Sequence, residues 1–153
     1  MRNFIKLVIS LAVCQLAGGI GSIFTSSSVK TWYLTINKPS FNPPNWVFAP
    51  VWIILFLLMG ISLFLVWKKG KKGLPIFFIQ LFFNILWSVM FFGLKSPLLG
   101  FVVIIVLWIL ILLTIIKFFR ISKTAGWLLI PYILWVSFAS ILNLAILTLN
   151  LPR

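Results

Sequence analysis

The chain has 153 residues and contains no aspartate, no glutamate, no histidine and only one cysteine, Cys14. Each absence excludes a class of chemistry. General acid–base catalysis draws chiefly on His, Asp and Glu, and a Ser-His-Asp arrangement has none of its partners here. Zinc, calcium and magnesium lose their usual side-chain ligands, so no metal site and no resident cofactor are expected. A single cysteine excludes a disulfide framework within the chain. Proton-driven carriers normally depend on an intramembrane carboxylate or histidine relay, also missing. A conventional hydrolase, a metalloenzyme and a proton-coupled transporter therefore all fit poorly.

What is present is apolar surface and positive charge. Hydrophobic residues make up 63% of the chain, and all 13 charged side chains are Lys or Arg. These basic residues bound five charge-free segments, Leu7–Val29, Pro39–Trp67, Gly73–Leu94, Ser96–Ile116 and Thr124–Pro152. Each is long enough to cross a ~30 Å hydrocarbon core as a helix, which takes about 20 residues. Segments of this length without two-residue alternation satisfy their backbone as helices rather than as a barrel. The expectation is an all-α membrane protein with a single domain over 1–153, a bundle of five transmembrane helices. The helices are expected near 4–25, 45–68, 74–94, 97–119 and 124–149, with a structured loop between the first and second. Arg2 and Lys6 precede the first segment as in a secretory signal. Its apolar run exceeds the roughly 7–15 residues of a signal core and no small-x-small site ends it, so it is expected to persist as a helix.

The charges also give an orientation. With five crossings, one side carries Arg2, Lys6, Lys68, Lys69, Lys71, Lys72, Lys117, Arg120 and Lys123, the other Lys30, Lys38, Lys95 and Arg153. In a plasma or inner membrane, the excess places the N-terminus in the cytoplasm and the first loop outside. A net charge of +13 on a soluble protein would suggest nucleic acid. Charges at helix ends instead set topology and meet anionic membrane lipids, so no nucleic-acid partner is expected.

The most informative stretch runs from Trp32 to Trp52, with prolines at 39, 43, 44 and 50 and aromatics at 32, 33, 41, 46, 48 and 52. Proline fixes φ and pushes the preceding residue away from helix, so the loop from Thr25 to Trp46 is expected to be a stiff, non-helical lid. Pro50 and Pro131 lie inside apolar helices, where kinks would open space. Trp52, Phe56, Met59 and Leu63 share one face of the second helix, Asn84, Trp87, Ser88 and Phe91 one face of the third, and Trp135, Ala139, Leu142 and Asn143 one face of the fifth. These faces either line a common cavity or pack helices together, with Asn84 and Asn143 in interhelical hydrogen bonds, and spacing alone favours packing. The fourth helix has Trp108 as its one distinctive residue and is expected to face lipid. Ala17, Gly18, Gly19, Gly21 and Ser22 permit close helix approach, within the bundle or between subunits.

The pattern Trp32-Tyr33, Lys38-Pro39-Ser40-Phe41, Pro43-Pro44, Trp46-Val47-Phe48 and Pro50-Val51-Trp52 resembles the signature of the tryptophan-rich sensory protein/translocator protein (TspO/MBR) family. The likeness continues through Gly18-Gly19, Met59-Gly60, Val66-Trp67, Gln80-Leu81, Asn84, Trp87-Ser88, Phe91-Phe92-Gly93, Leu129-Ile130-Pro131-Tyr132, Trp135-Val136-Ser137-Phe138-Ala139 and Leu142-Asn143. It spans nearly the whole chain in order.

The resemblance implies a five-helix bundle, commonly a homodimer, with a cavity covered by the first loop, and as ligand a porphyrin or other tetrapyrrole (protoporphyrin IX or a haem-like molecule), a benzodiazepine-type or other flat apolar small molecule, or, in animal members, cholesterol. Carried over by position, the ligand-binding residues are Tyr33, Pro39, Pro44, Trp52, Phe56, Asn84, Ser88, Phe91, Trp135, Ala139 and Leu142. Rings at Trp52, Trp135 and Phe91 would stack on the macrocycle, Asn84 and Ser88 would orient it, and Lys38 is the nearest basic candidate for an anionic propionate. The sterol-recognition pattern is incomplete, since no Tyr follows Tyr132. The function expected is binding for sensing, sequestration or transport. Alternatives are light-dependent porphyrin degradation, in which Trp52 and Trp135 would take the catalytic role, and a membrane assembly protein whose cavity is incidental.

Overall fold

The computed structural model describes residues 2–151; Pro152 and Arg153, the latter counted above on the less basic side, lie outside the described residues. Helix α1 (Arg2–Val29) is followed by the short α2 (Trp32–Thr35), then α3 (Asn45–Trp67) and α4 (Leu74–Ser88), which continues through a π-helical turn, Val89–Gly93. Helix α5 (Pro97–Ile121) leads to α6 (Lys123–Leu128) and α7 (Ile130–Leu149). Among the described residues there is no strand, and five helical lengths are long and apolar enough to cross a membrane: α1, α3, α4 with its π turn, α5, and α6 with α7.

Serine chemistry moves the first boundary. The hydroxyls of Ser22, Ser26 and Ser27 bond back to carbonyls of Gly19, Ser22 and Ile23, so these residues are satisfied within the helix and α1 runs on to Val29. The expected non-helical lid from Thr25 is thus shortened, and its first part contains α2. Elsewhere prolines start helices. Pro75 and Pro97 stand in the first turns of α4 and α5, where a missing N–H costs nothing, and Ser96 Oγ caps α5 by accepting from Leu99 N at 3.2 Å. Near Pro131 the expected kink takes the form of a break in the last span. Pro131 lies in the first turn of α7, and the break falls at Leu129, between α6 and α7.

Helices α1 and α3 pack closely where the N-terminal half of α1 meets the C-terminal half of α3. A side-chain carbon on Gly60 would stand 2.9 Å from Leu11 Cδ2 and 3.0 Å from Leu11 Cα, so only glycine admits this approach. Gly18 meets the Phe56 ring and Gly21 the Ser88 side chain, placing both glycines inside the bundle. Helix α5 is less peripheral than its plain sequence suggests. It buries Ile104, Leu107, Ile111, Thr114 and Phe118 against its neighbours α4, α6 and α7, and exposes Val102, Ile105, Ile109 and Leu113 on its outer face. Trp108 Nε1 donates to Ser137 Oγ at 2.8 Å, joining α5 to α7. The bundle is therefore tight at one end, and the lid and the aromatic faces meet at the other.

Candidate functional site

Tyr33, on α2, is the buried centre of the lid, 1% exposed. Its phenol donates to Asn42 Oδ1 at 2.7 Å, and burial pushes it up from 10.0 to about 12 against the lowering effect of that bond. Lys38 Nζ donates to the carbonyls of Tyr33 (2.6 Å) and Ile36 (3.2 Å) and stands 4.9 Å from the centre of the Tyr33 ring. The ammonium thus fastens the lid to itself and is not directed at an interior ligand. The lid is also tied to the end of α7. Asn37 N donates to Asn150 Oδ1 at 2.9 Å, and Asn150 Nδ2 donates to Asn37 O at 2.8 Å.

Beneath the lid the aromatic faces converge. Tyr33, Phe48, Trp52, Trp87, Phe91, Phe92, Trp135 and Phe138 surround one cavity with Thr25, Ala139, Leu142, Asn143 and Ile146. The rings largely fill it. Trp87 stacks on Phe91 with centroids 5.4 Å apart, and Trp135 stands edge-on to Trp52 at 6.5 Å and to Phe48 at 6.3 Å. About 30 Å³ remains, space for two or three waters where each needs on the order of 10–15 Å³.

The larger space lies to one side. Between the lid-proximal halves of α1 and α3 a groove of about 760 Å³ runs past Gly18, Gly19, Ser22 and Lys30 on one wall and Trp46, Ala49, Trp52 and Phe56 on the other. Asn84 and Ser88 of α4 are also in its lining. Thr25, Phe48 and Trp52 line both groove and cavity, so these side chains are the partition between them.

The sequence-derived residues accordingly divide. Tyr33, Phe91, Trp135, Ala139 and Leu142 belong to the aromatic cavity, Phe56, Asn84 and Ser88 to the groove, and Trp52 to both. Pro39, Pro44 and Lys38 line neither: Pro39 and Lys38 are half-buried in the lid, and Pro44 is exposed at the start of α3. Asn84 also has a structural task. Its Nδ2 donates to the Tyr132 hydroxyl at 2.6 Å, which donates on to Gln80 Oε1 at 2.7 Å. Asn143 likewise joins helices, accepting from Trp87 Nε1 at 3.0 Å and donating to Pro97 O at 2.9 Å. Both amides therefore make the interhelical bonds that spacing allowed. Buried Trp135 Nε1 has no hydrogen-bond partner among the described residues, and Trp135 is one of the residues that line the cavity.

Phe48, Phe92 and Phe138 are site residues that the helical periodicity of the sequence did not single out. Phe91 and Phe92 are consecutive, and an α-helix would turn them about 100° apart. The π turn over Val89–Gly93 widens the backbone there, and both are buried. The only local hint is the helix end before Ser96-Pro97.

Comparison with known sequences agrees with this architecture. The sequence model of the TspO/MBR family matches residues 10–149. The chain is 48% identical to the tryptophan-rich protein TspO of Chlorobaculum tepidum, covering 97% of this chain and 98% of that one. It is 47% identical to the protein of the same name from Archaeoglobus fulgidus, over 97% and 99% of the two chains. The human translocator protein is 33% identical, over 81% of this chain and 78% of that one.

Proposed function

Since the chain belongs to the TspO/MBR family of integral, multi-pass membrane proteins, we propose that it binds a flat apolar ligand of the tetrapyrrole class at the aromatic partition beneath the lid. The observation that carries this reading is the position of Trp52. Its ring belongs at once to the aromatic cavity and to a groove of about 760 Å³, within the ~300–1,000 Å³ usual for small-molecule sites. The 30 Å³ cage alone admits no macrocycle, so the ligand enters from the groove and stacks at the partition, and the cage rings yield to deepen the site. The orphaned Trp135 Nε1 supplies one donor for a ligand acceptor, since buried polar groups are ordinarily paired.

Absence of carboxylates and imidazoles leaves binding, with sensing, sequestration or transport as its outcome, as the function most consistent with the site. The basic side, holding the α3–α4 turn and the end of α5, lies in the cytoplasm in this reading, and the lid lies outside. Titration of purified protein with protoporphyrin IX tests it: tryptophan quenching must saturate, and Trp52→Ala/Trp135→Ala must lose most of the affinity.

A light-driven reaction on the bound macrocycle is a second reading, favoured by the indoles of Trp52, Trp87 and Trp135 around one cavity. Illumination of the complex separates it from binding alone. A new absorbing product that requires Trp52 and Trp135 supports it, and bleaching that is the same without them removes it.

A further inference from the structure

Phe91 and Phe92 hold their places in the aromatic cavity for different reasons. Phe91 follows Asn84, Trp87 and Ser88 at helical spacing, so an unbroken α-helix already turns it inward. It is also wedged there, since a Cβ on Gly100 of α5 would stand 2.8 Å from Phe91 Cδ2. Phe92 points inward only because the turn over Val89–Gly93 is π, taking in one residue more than an α turn does. Its ring packs on Phe91, on Trp87 and on Tyr33 of the lid, with centroids 4.8, 5.7 and 5.8 Å apart.

The backbone around Phe92 is held by one bond from α1 and strained at one residue. Ser28, buried near the end of α1, donates its hydroxyl to Phe92 O at 2.5 Å, across 64 residues of sequence. Leu94 N reaches back to Val89 O at 2.7 Å, and Ser96 N to Met90 O at 3.2 Å, both longer spans than the four residues of an α-helix. Lys95 closes this wide turn with a φ of 55° and is the one non-glycine residue at positive φ among the described residues. A Cβ disfavours that conformation, and such residues persist where the surrounding structure imposes them, often in segments that switch. The wide turn thus strains Lys95 and seats one additional ring beneath the lid.

We propose that the π turn is a register switch that admits ligand to the aromatic cavity. In the π register Phe92 fills the space under Tyr33. In the α register the extra residue passes into the loop before Pro97, and Lys95 leaves the left-handed region. Ser28 then releases Phe92 O and the Phe92 ring swings out of the cavity, while Phe91 stays on its face. This rests on the binding function above, and adds to it the ring that makes way and the two residues that set how often it does. Ser28 favours the π register through its hydrogen bond, and Lys95 favours the α register through its strain. Neither residue lines the cavity or the groove, so an effect of either on ligand entry is not a lost ligand contact.

Rapid mixing of the full-length protein in lipid nanodiscs with protoporphyrin IX, followed by tryptophan quenching, reads the switch. Ser28→Ala should speed quenching by roughly two- to tenfold, the worth of one hydrogen bond in the population of the α register. Lys95→Gly should slow it by roughly fivefold, because glycine adopts positive φ freely and keeps the turn wide. Lys95→Ala removes the charge but keeps a Cβ, and should leave the rate unchanged. Hydrogen exchange of residues 89–96 without ligand should follow the same order, fastest in Ser28→Ala and slowest in Lys95→Gly. Equal quenching rates in Ser28→Ala, Lys95→Gly and the unaltered protein overturn the switch, and saturable quenching in all three leaves the binding function standing. Faster quenching in Asn150→Ala but not in Ser28→Ala assigns entry to the lid and overturns it likewise. Equal protection of residues 89–96 in all three overturns the switch whatever the ligand does. Quenching that never saturates in the unaltered protein overturns the binding function and this proposal together.

Discussion

Asn37 and Asn150 exchange two hydrogen bonds, at 2.9 and 2.8 Å, across 113 residues of sequence. The side-chain amide of Asn150 pairs with the backbone N–H and C=O of Asn37 as a neighbouring strand would, and so fixes the lid to the end of the last helix. Asn150→Ala should leave the bundle folded and free the lid. An intramolecular hydrogen bond is worth about 0.5–1.5 kcal/mol net, so loss of both should raise the open-lid population by roughly one to two orders of magnitude. Hydrogen exchange of residues 36–44 measures this, and unchanged protection there would show that Tyr33 and Lys38 hold the lid unaided.

The lid also has a pH limit. Burial raises the Tyr33 phenol from 10.0 to about 12, so the closed lid holds that proton more tightly than an unfolded chain does. Its contribution is fully present below about pH 10 and is lost as pH rises through about 12. Tyrosinate absorbance should show a late transition near 12 that disappears in Tyr33→Phe. A transition at the ordinary value would place the phenol in water.

Three polar side chains in the bundle act as a unit. Tyr132→Phe removes the hydroxyl that accepts from Asn84 and donates to Gln80, orphaning two buried amide groups. Orphaned groups cost about 1–3 kcal/mol, with the lower end expected in a membrane, where interhelical bonds average about 0.6 kcal/mol. Tyr132→Phe should thus lower the melting temperature measurably, and the triple change Gln80→Leu/Asn84→Leu/Tyr132→Phe should recover part of the loss. A triple variant less stable than the sum of its parts would contradict this network as described.

Glycines on α1 and α3 should differ sharply in tolerance. Gly60→Ala forces a methyl to within 3.0 Å of Leu11 Cα, and overpacking of this kind costs about 1–3 kcal/mol. Gly19→Ala meets open space and should be near neutral or slightly stabilising. Thermal unfolding in one detergent compares them, and equal shifts would mean that α1 and α3 do not approach as described.

The five spans were legible because lysines and arginines stand at helix ends, where lipid forces them, and the charge-free runs between them could only be helices. The aromatic faces of α3, α4 and α7 were legible too, since helical period alone groups Trp52 with Phe56 and Trp87 with Phe91. What escaped depends on partners distant in sequence. Nothing near Lys38 shows that its ammonium turns back to Tyr33 O, and nothing near Lys30 shows that α1 and α3 diverge beyond Gly18 to leave a groove beside it. Asn84 comes to the candidate site by resemblance, and that its interhelical partner is the Tyr132 hydroxyl, 48 residues away, is shown only by the fold. Phe92 was missed because a π turn breaks the period by which faces are read.

Protoporphyrin IX titration of the purified protein, followed through tryptophan fluorescence and the porphyrin absorption band, tests the binding function most directly. Saturable quenching with a band shift is expected, weakened at least tenfold in Trp52→Ala/Trp135→Ala. Quenching that never saturates, or full affinity in that variant, would contradict a ligand site at the Trp52 partition.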